Sequence, residues 1–91
     1  GESLEAAAGR RAHEMYPLAV GQDQGYLFNR AIRGSNLRPD ALNYRERIVR
    51  ELKPDTPSGR SQGKRQLAMY VAELRRTTGE EWTPQLDLYA P

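Results

Sequence analysis

The chain contains no cysteine. Disulfides and thiolate zinc sites are therefore excluded, and the redox compartment is left open. No stretch approaches the ~18 consecutive apolar residues of a membrane span, and the first residues lack the pattern of a signal peptide. This segment is not expected to insert into a membrane. Internal repeats and low-complexity tracts are also missing. Histidine occurs once, at His13, so any imidazole chemistry has a single candidate.

What is present suits one small domain over residues 1–91 with a modest core. The chain has 91 residues, 37% of them hydrophobic and 29% charged, too apolar for a disordered tail. The formal net charge of +2 is unevenly spread. Between Arg30 and Arg76 stand twelve Lys or Arg against five Asp or Glu, so the middle is strongly basic and the ends are acidic. A polyanion gripped around the middle fits that distribution, since phosphate neutralisation supplies most non-specific nucleic-acid affinity. A solvated surface would have the same composition.

Local patterns give an element order. Ser3 is a candidate N-cap for a helix from Leu4 to Tyr16, with Pro17 as its stop. Pro17 to Gly25, with Gly21, Asp23 and Gly25, reads as a loop, Tyr26 to Ile32 as a strand, and Gly34-Ser35-Asn36 as the turn into a hairpin. The hairpin's arms are Leu37 to Tyr44 and Ile48 to Leu52, with the turn at Arg45-Glu46. Prolines 54 and 57 take the chain out of the sheet. Ser58 or Ser61 can cap a second helix ending at Gly79, with Leu67, Tyr70, Val71 and Leu74 as its apolar stripe. Leu86 and Leu88 alternate in a last strand, which Pro84 confines to a sheet edge or to a start beyond the proline.

The hairpin concentrates the chemistry. With the turn between Arg45 and Glu46, Asp40 lies opposite Glu51, where cross-strand Cβ atoms are ~4.5–5.5 Å apart. The period of two places Val49, Glu51 and Lys53 on one face. Two carboxylates that close repel unless a proton or cation lies between them, and a hard divalent metal takes such oxygen ligands. Lys53 could orient an attacking water or neutralise charge developing on a phosphorane. The same residues could also form only a surface ion pair worth ~0–1 kcal/mol. Glu5, Gly9 and His13 share one face of the first helix, with Gly9 allowing acid and imidazole to approach. Glu14 could take the place of Glu5, or pair with Arg10 four residues earlier. His13 itself is open to a structural or orienting role. Arg30, Arg33 and Arg38 near the turn, and Arg60, Lys64 and Arg65 at the start of the second helix, are candidate phosphate contacts.

Pro39-Asp40, ten intervening residues and Glu51-Leu52-Lys53 resemble the signature of the PD-(D/E)XK nuclease superfamily. Gln66 and Tyr70, in Gln-Leu-Ala-Met-Tyr, are similar to the Gln-x-x-x-Tyr helix of several of its branches. Over the whole chain, Gly9-Arg10, His13, Gly25-Tyr26, Arg38 to Ala41, Ile48 to Pro54, Arg65 to Leu67, Tyr70 and Trp82-Thr83 resemble the restriction-endonuclease-fold domains at the C-terminus of bacterial polymorphic toxins, including Rhs-type ones. The resemblance implies an α+β fold with an αβββαβ core, a mixed central sheet flanked by two helices. It implies Asp40 and Glu51 as metal ligands, with Glu5 and His13 as further candidates, for Mg²⁺ or Mn²⁺. Lys53 and Gln66 would assist catalysis, and Arg38, Arg60, Lys64, Arg65 and Tyr70 would contact nucleic acid. Gln66 could also be no more than a solvated helical glutamine. The expected activity is a metal-dependent DNase, the toxic tip of a longer secreted polypeptide acting in the target-cell cytoplasm and neutralised by an acidic immunity protein. A non-catalytic nucleic-acid-binding module, an RNase, a repair or resolvase-type nuclease, or an interaction domain with incidental motifs are the alternatives.

Overall fold

The computed structural model describes residues 1–91. The order is α1 (Leu4–Val20), β1 (Leu27–Phe28), β2 (Ala41–Asn43), β3 (Ile48–Pro54), α2 (Pro57–Thr78) and β4 (Thr83–Tyr89). The expected αβββαβ succession is therefore observed. The four strands form one sheet in the order β1-β2-β3-β4, antiparallel except for the parallel β3–β4 pair. The sheet is mixed, with α2 as the connection that carries the chain from β3 to its parallel neighbour.

The helices cover opposite faces. On one face, Leu67, Tyr70 and Leu74 of α2 pack with Ile32, Leu42, Val49 and Trp82. On the other, Tyr16 of α1 packs with Ala41 and Leu52, supported by Ala12, Val20, Phe28 and Tyr89. The cover by α1 is thin: Tyr16 is its only buried residue, whereas α2 buries Gly59, Gly63, Leu67, Tyr70 and Leu74.

Several boundaries differ from the sequence expectation, each for a local reason. Ser3 caps α1, accepting from the Ala6 N–H, but Pro17 does not stop the helix. It removes one backbone donor, yet Val20 packs into the core beyond it, and the helix ends only at Gly21, whose φ is 108°. The strand expected over Tyr26 to Ile32 shrinks to Leu27–Phe28 because Asn29 turns to φ 52°. Ile32 is buried from a turn instead, its N–H bonded to the Leu37 carbonyl. β2 begins only at Ala41, since the Asp40 N–H goes to the Glu51 side chain. β3 runs on through Pro54, which pairs with Tyr89. The cap of α2 is Thr56, ahead of both expected serines, with Pro57 in the first turn, where its missing N–H costs nothing. At the far end Gly79 adopts the left-handed cap conformation.

The α2 glycines set how close this helix lies. A Cβ on Gly59 would stand 2.3 Å from the Pro54 carbonyl oxygen, and one on Gly63 would stand 2.5 Å from Leu86 Cδ1 and 3.0 Å from Lys53 Cγ. The helix thus rests on the C-terminal half of β3, where Glu51 and Lys53 project.

Candidate active site

The hairpin register is the expected one. Ala41 pairs with Arg50 and Asn43 with Ile48, so Asp40 falls opposite Glu51 one step further along. The two are tied reciprocally. The Asp40 N–H donates to Glu51 Oε1 at 3.0 Å, and the Leu52 N–H donates to Asp40 Oδ2 at 2.8 Å. Each carboxylate therefore takes a backbone donor from the opposite arm of the hairpin, which fixes both side chains without involving a surface ion pair.

Burial and charge then act on Glu51. Its side chain is 6% exposed, against 21% for Asp40. Its pKa is raised to about 7, first by burial, which disfavours the charged form, and then by the Asp40 charge. Lys53 Nζ lies 3.8 Å from Glu51 Oε2 and opposes that rise. The Tyr70 hydroxyl donates to the same oxygen at 3.4 Å. Burial and the two carboxylates raise the phenol's own pKa. Tyr70, read both in the apolar stripe of α2 and as a nucleic-acid contact, is buried as the stripe requires and touches Glu51, because the α2 glycines press its face of the helix onto β3.

His13 approaches from α1. Its Nε2 is 3.4 Å from Asp40 Oδ2, and its Nδ1 is 2.9 Å from the Gly9 carbonyl oxygen. A carbonyl can only accept, so Nδ1 donates. In the neutral ring Nε2 then presents a lone pair beside the carboxylate oxygen. Two acceptors that close call for a proton or a cation between them, and an imidazole whose second nitrogen donates to a backbone carbonyl is also the usual arrangement of a histidine ligand. Tyr89 contacts His13 edge to face, with ring centroids 6.4 Å apart.

Two expectations about α1 are corrected. Glu5 is exposed, makes no hydrogen bond or ion pair, and lines a shallow surface hollow with Leu4, Ala8, Arg11 and Pro91. Eight residues separate it from His13, ~12 Å along a helix axis, so both cannot reach Asp40. Glu14 instead pairs with Arg10 at 3.2 Å. Gly9 admits the Tyr89 hydroxyl, which a Cβ would approach to 2.9 Å, and does not bring an acid to the imidazole. No three His, Asp or Glu side chains converge as a ready cluster.

Gln66 stands one turn before Tyr70 on the same side of α2. Its Oε1 is buried and has no hydrogen-bond partner. Leaving such an acceptor unpaired costs ~1–3 kcal/mol, so this oxygen is short of a donor or cation on the face that carries Tyr70. Among the basic candidates, Lys64 and Arg65 are exposed and outside every ion pair, Arg38 donates to the Asn29 carbonyl at 3.2 Å, and Arg60 is matched by Asp55 at 2.5 Å.

A second polar cluster was not anticipated. Asp87 receives both Nε and Nη2 of Arg50, at 2.8 and 2.9 Å, and the Tyr16 hydroxyl, while Arg50 lies over the Tyr26 ring. Arg50 and Tyr16 hold the Asp87 pKa down against its burial, and burial together with Asp87 drives the Tyr16 pKa up. The cluster locks α1 onto β3 and β4, three residues beyond His13. No sequence motif announces it, because Tyr16 and Asp87 are 71 positions apart.

A mixed sheet between two helices, with Asp40 and Glu51-Leu52-Lys53 on neighbouring strands and Gln66 and Tyr70 on the crossover helix, is the restriction-endonuclease-like arrangement. The family described as Restriction endonuclease fold toxin 9 matches residues 1–89, and the chain belongs to that family. Neither the curated proteins nor the solved structures yield a significant match.

Proposed function

We propose that this single domain is a divalent-metal-dependent DNase, the toxic part of a longer secreted polypeptide that acts in the cytoplasm of a competing bacterium. The observation that carries the reading is the Asp40–Glu51 pair, held by opposing backbone donors with Lys53 beside it. Carboxylates placed to face phosphates give a pure binder nothing. Membership of a restriction endonuclease fold toxin family supports a nuclease toxin, and DNA is the substrate of the restriction enzymes that name the fold.

The donor set fits a hard divalent cation. Asp40 and Glu51 would hold it, His13 Nε2 and the unpaired Gln66 Oε1 are in reserve, and Mg²⁺ or Mn²⁺ suits carboxylate oxygens. When bound, such an ion polarises the phosphoryl group and lowers the pKa of a coordinated water. The remaining work belongs to the chain. Lys53 neutralises charge as it builds on the phosphorane. Gln66 Oε1 accepts from the attacking water and orients it. Tyr70 and the Asp40 N–H keep Glu51 from rotating away. Lys64 and Arg65, two turns into α2 and exposed, receive the backbone phosphates. An immunity protein covering this face would be acidic, to match it.

The test is incubation of the purified domain with supercoiled plasmid and with total RNA, each with Mg²⁺ and with EDTA, beside Glu51→Ala and Lys53→Ala. Metal-dependent plasmid loss that both variants abolish is the expected result. Loss of RNA alone would keep the mechanism and change the substrate. Cleavage of neither, with plasmid binding retained, would leave a non-catalytic binding module.

A further inference from the structure

Between Asp23 and Asp40 the chain has no acidic residue and three arginines, Arg30, Arg33 and Arg38, all exposed. They stand on the loop that joins β1 to β2, and the loop is held from within. Ile32 is buried in the α2 core and Leu37 packs against it. The Ile32 N–H donates to the Leu37 carbonyl, the Ser35 N–H to the Ile32 carbonyl and the Leu37 N–H to the Ser35 hydroxyl. Both ends meet the candidate site: the Asn29 N–H donates to the Asp40 carbonyl, and the buried Pro39 leads directly into Asp40. The loop also borders the side of α2 that carries Gln66. Gln66, Tyr70 and Glu73 follow at helical spacing on one side, and Ser35 Oγ donates to Glu73 Oε2 at 3.2 Å.

Two of the three arginines are positioned without being neutralised. The Arg33 guanidinium lies over the Tyr44 ring, 4.2 Å from its centroid, and the Arg33 N–H donates to the Tyr44 hydroxyl at 3.1 Å. Arg38 Nη1 donates to the carbonyl of Asn29, the residue whose N–H is bonded to Asp40. A ring face and a carbonyl orient a guanidinium but carry no net charge, and its five donors are far from used up. By contrast Arg47, Arg60, Arg75 and Arg76 each hold a carboxylate. Glu73, the acid that the loop touches, is itself matched by Arg76. The patch therefore keeps its charge, fixed in place beside Asp40. Leu42 and Tyr44 both pack on the α2 side, and four residues of strand set Tyr44 ~13 Å from Asp40. The guanidinium held on Tyr44 thus addresses a different phosphate from the one at Asp40, while Arg38 is only two residues from that carboxylate.

We propose, resting on the nuclease reading for the identity of the polymer, that the β1–β2 loop is a phosphate clamp. Arg38 and Arg33 hold DNA backbone phosphates that lead away from the cleaved bond, and Tyr44 is the positioning residue that keeps Arg33 aimed.

The test is binding of two short DNA duplexes of unrelated sequence by the full chain in EDTA, followed by fluorescence anisotropy across a salt series. Arg33→Gln and Arg38→Gln should each flatten the slope of log K against log salt by about 0.9 on both duplexes. Arg11→Gln removes the same charge from α1, beside Leu4 and Pro91, and should leave the slope unchanged. Tyr44→Leu should flatten it toward the Arg33→Gln value, Tyr44→Phe, which keeps the ring, should not, and Tyr44→Leu should add nothing in the Arg33→Gln background. Unchanged slopes for both loop arginines, or an equal loss for Arg11→Gln, overturn the clamp. A Tyr44→Leu effect that persists without Arg33 overturns the role of Tyr44. Binding in EDTA needs no turnover, so the two readings fail separately. Flattened slopes in a chain that never cuts plasmid keep the clamp and sink the nuclease; plasmid cleavage with unaltered slopes does the reverse.

Discussion

Asp40 and Glu51 each hold the other's place: the Asp40 N–H donates to the Glu51 carboxylate, and the Asp40 carboxylate accepts from the N–H that follows Glu51. The arrangement brings together two acids that repel, and Glu51 bears the cost, with its pKa raised from 4.5 to about 7. A group whose folded pKa is raised favours the folded state most below its unfolded pKa, and that contribution is lost as pH rises through the folded value. Glu51→Gln keeps the shape and removes the charge. The variant should be inactive yet more stable than wild type by roughly 1–3 kcal/mol at pH 8.5, with little gain at pH 5. Denaturant melts at the two pH values check this. An equal effect at both would mean that Glu51 does not titrate between them.

His13 and Glu5 make a paired test of which residue of α1 serves the proposed metal site. His13 Nε2 faces Asp40, while Glu5 faces solvent two turns away. His13→Ala should raise the Mg²⁺ or Mn²⁺ concentration needed for half-maximal cleavage by about 10-fold, the low end of the effect of removing an outer metal partner. Glu5→Ala should leave it unchanged. A metal titration of cleavage decides between them, and a larger effect at Glu5 would restore it to the site.

Gly63 is where packing and chemistry meet. Its missing Cβ leaves room for Leu86 and the stem of Lys53. Gly63→Ala gains about 1 kcal/mol of helix propensity but forces these neighbours apart, at about 1–3 kcal/mol for an overpacked contact. The melting temperature should fall or stay level, without the rise that an exposed helical glycine would give. Cleavage should fall more than stability, because Lys53 shifts. Thermal melts and rates on the same preparation separate the two effects.

The element order and the hairpin register were legible because they rest on local signals: the Ser3 cap, the turn at Arg45-Glu46, the alternation through Val49, Glu51 and Lys53, and Gly79 at the end of α2. The Asp40–Glu51 opposition followed from counting residues across that turn. Long-range effects were not legible. Pro17 breaks helices in isolation, but the packing of Val20 and the Tyr16–Asp87 bond sustain the turn beyond it. Glu5 and His13 share a helical face, yet only the tilt of α1 on the sheet decides which end reaches Asp40. The apolar stripe already marked Tyr70 for burial, but nothing local reveals that Gly59 and Gly63 press α2 close enough to β3 for its hydroxyl to reach Glu51.

The basic residues in the first three turns of α2 differ in what they have left to give. Arg60 is matched by Asp55, whereas Lys64 and Arg65 have no acidic partner. Binding to phosphates releases condensed counterions in proportion to the contacts made, so each lost contact lowers the slope of log K against log salt by about one. Lys64→Ala and Arg65→Ala should each weaken plasmid binding at low salt and flatten that slope by about 0.9, to similar degrees on unrelated sequences. Arg60→Ala should change it less, because Arg60 must leave Asp55 to reach a phosphate and the freed carboxylate would then repel the duplex. Fluorescence anisotropy on the Glu51→Gln background, across a salt series without turnover, measures all three. Equal slopes for Arg60→Ala and Arg65→Ala would show that the Asp55 pair opens on binding and that the whole helix start grips the backbone.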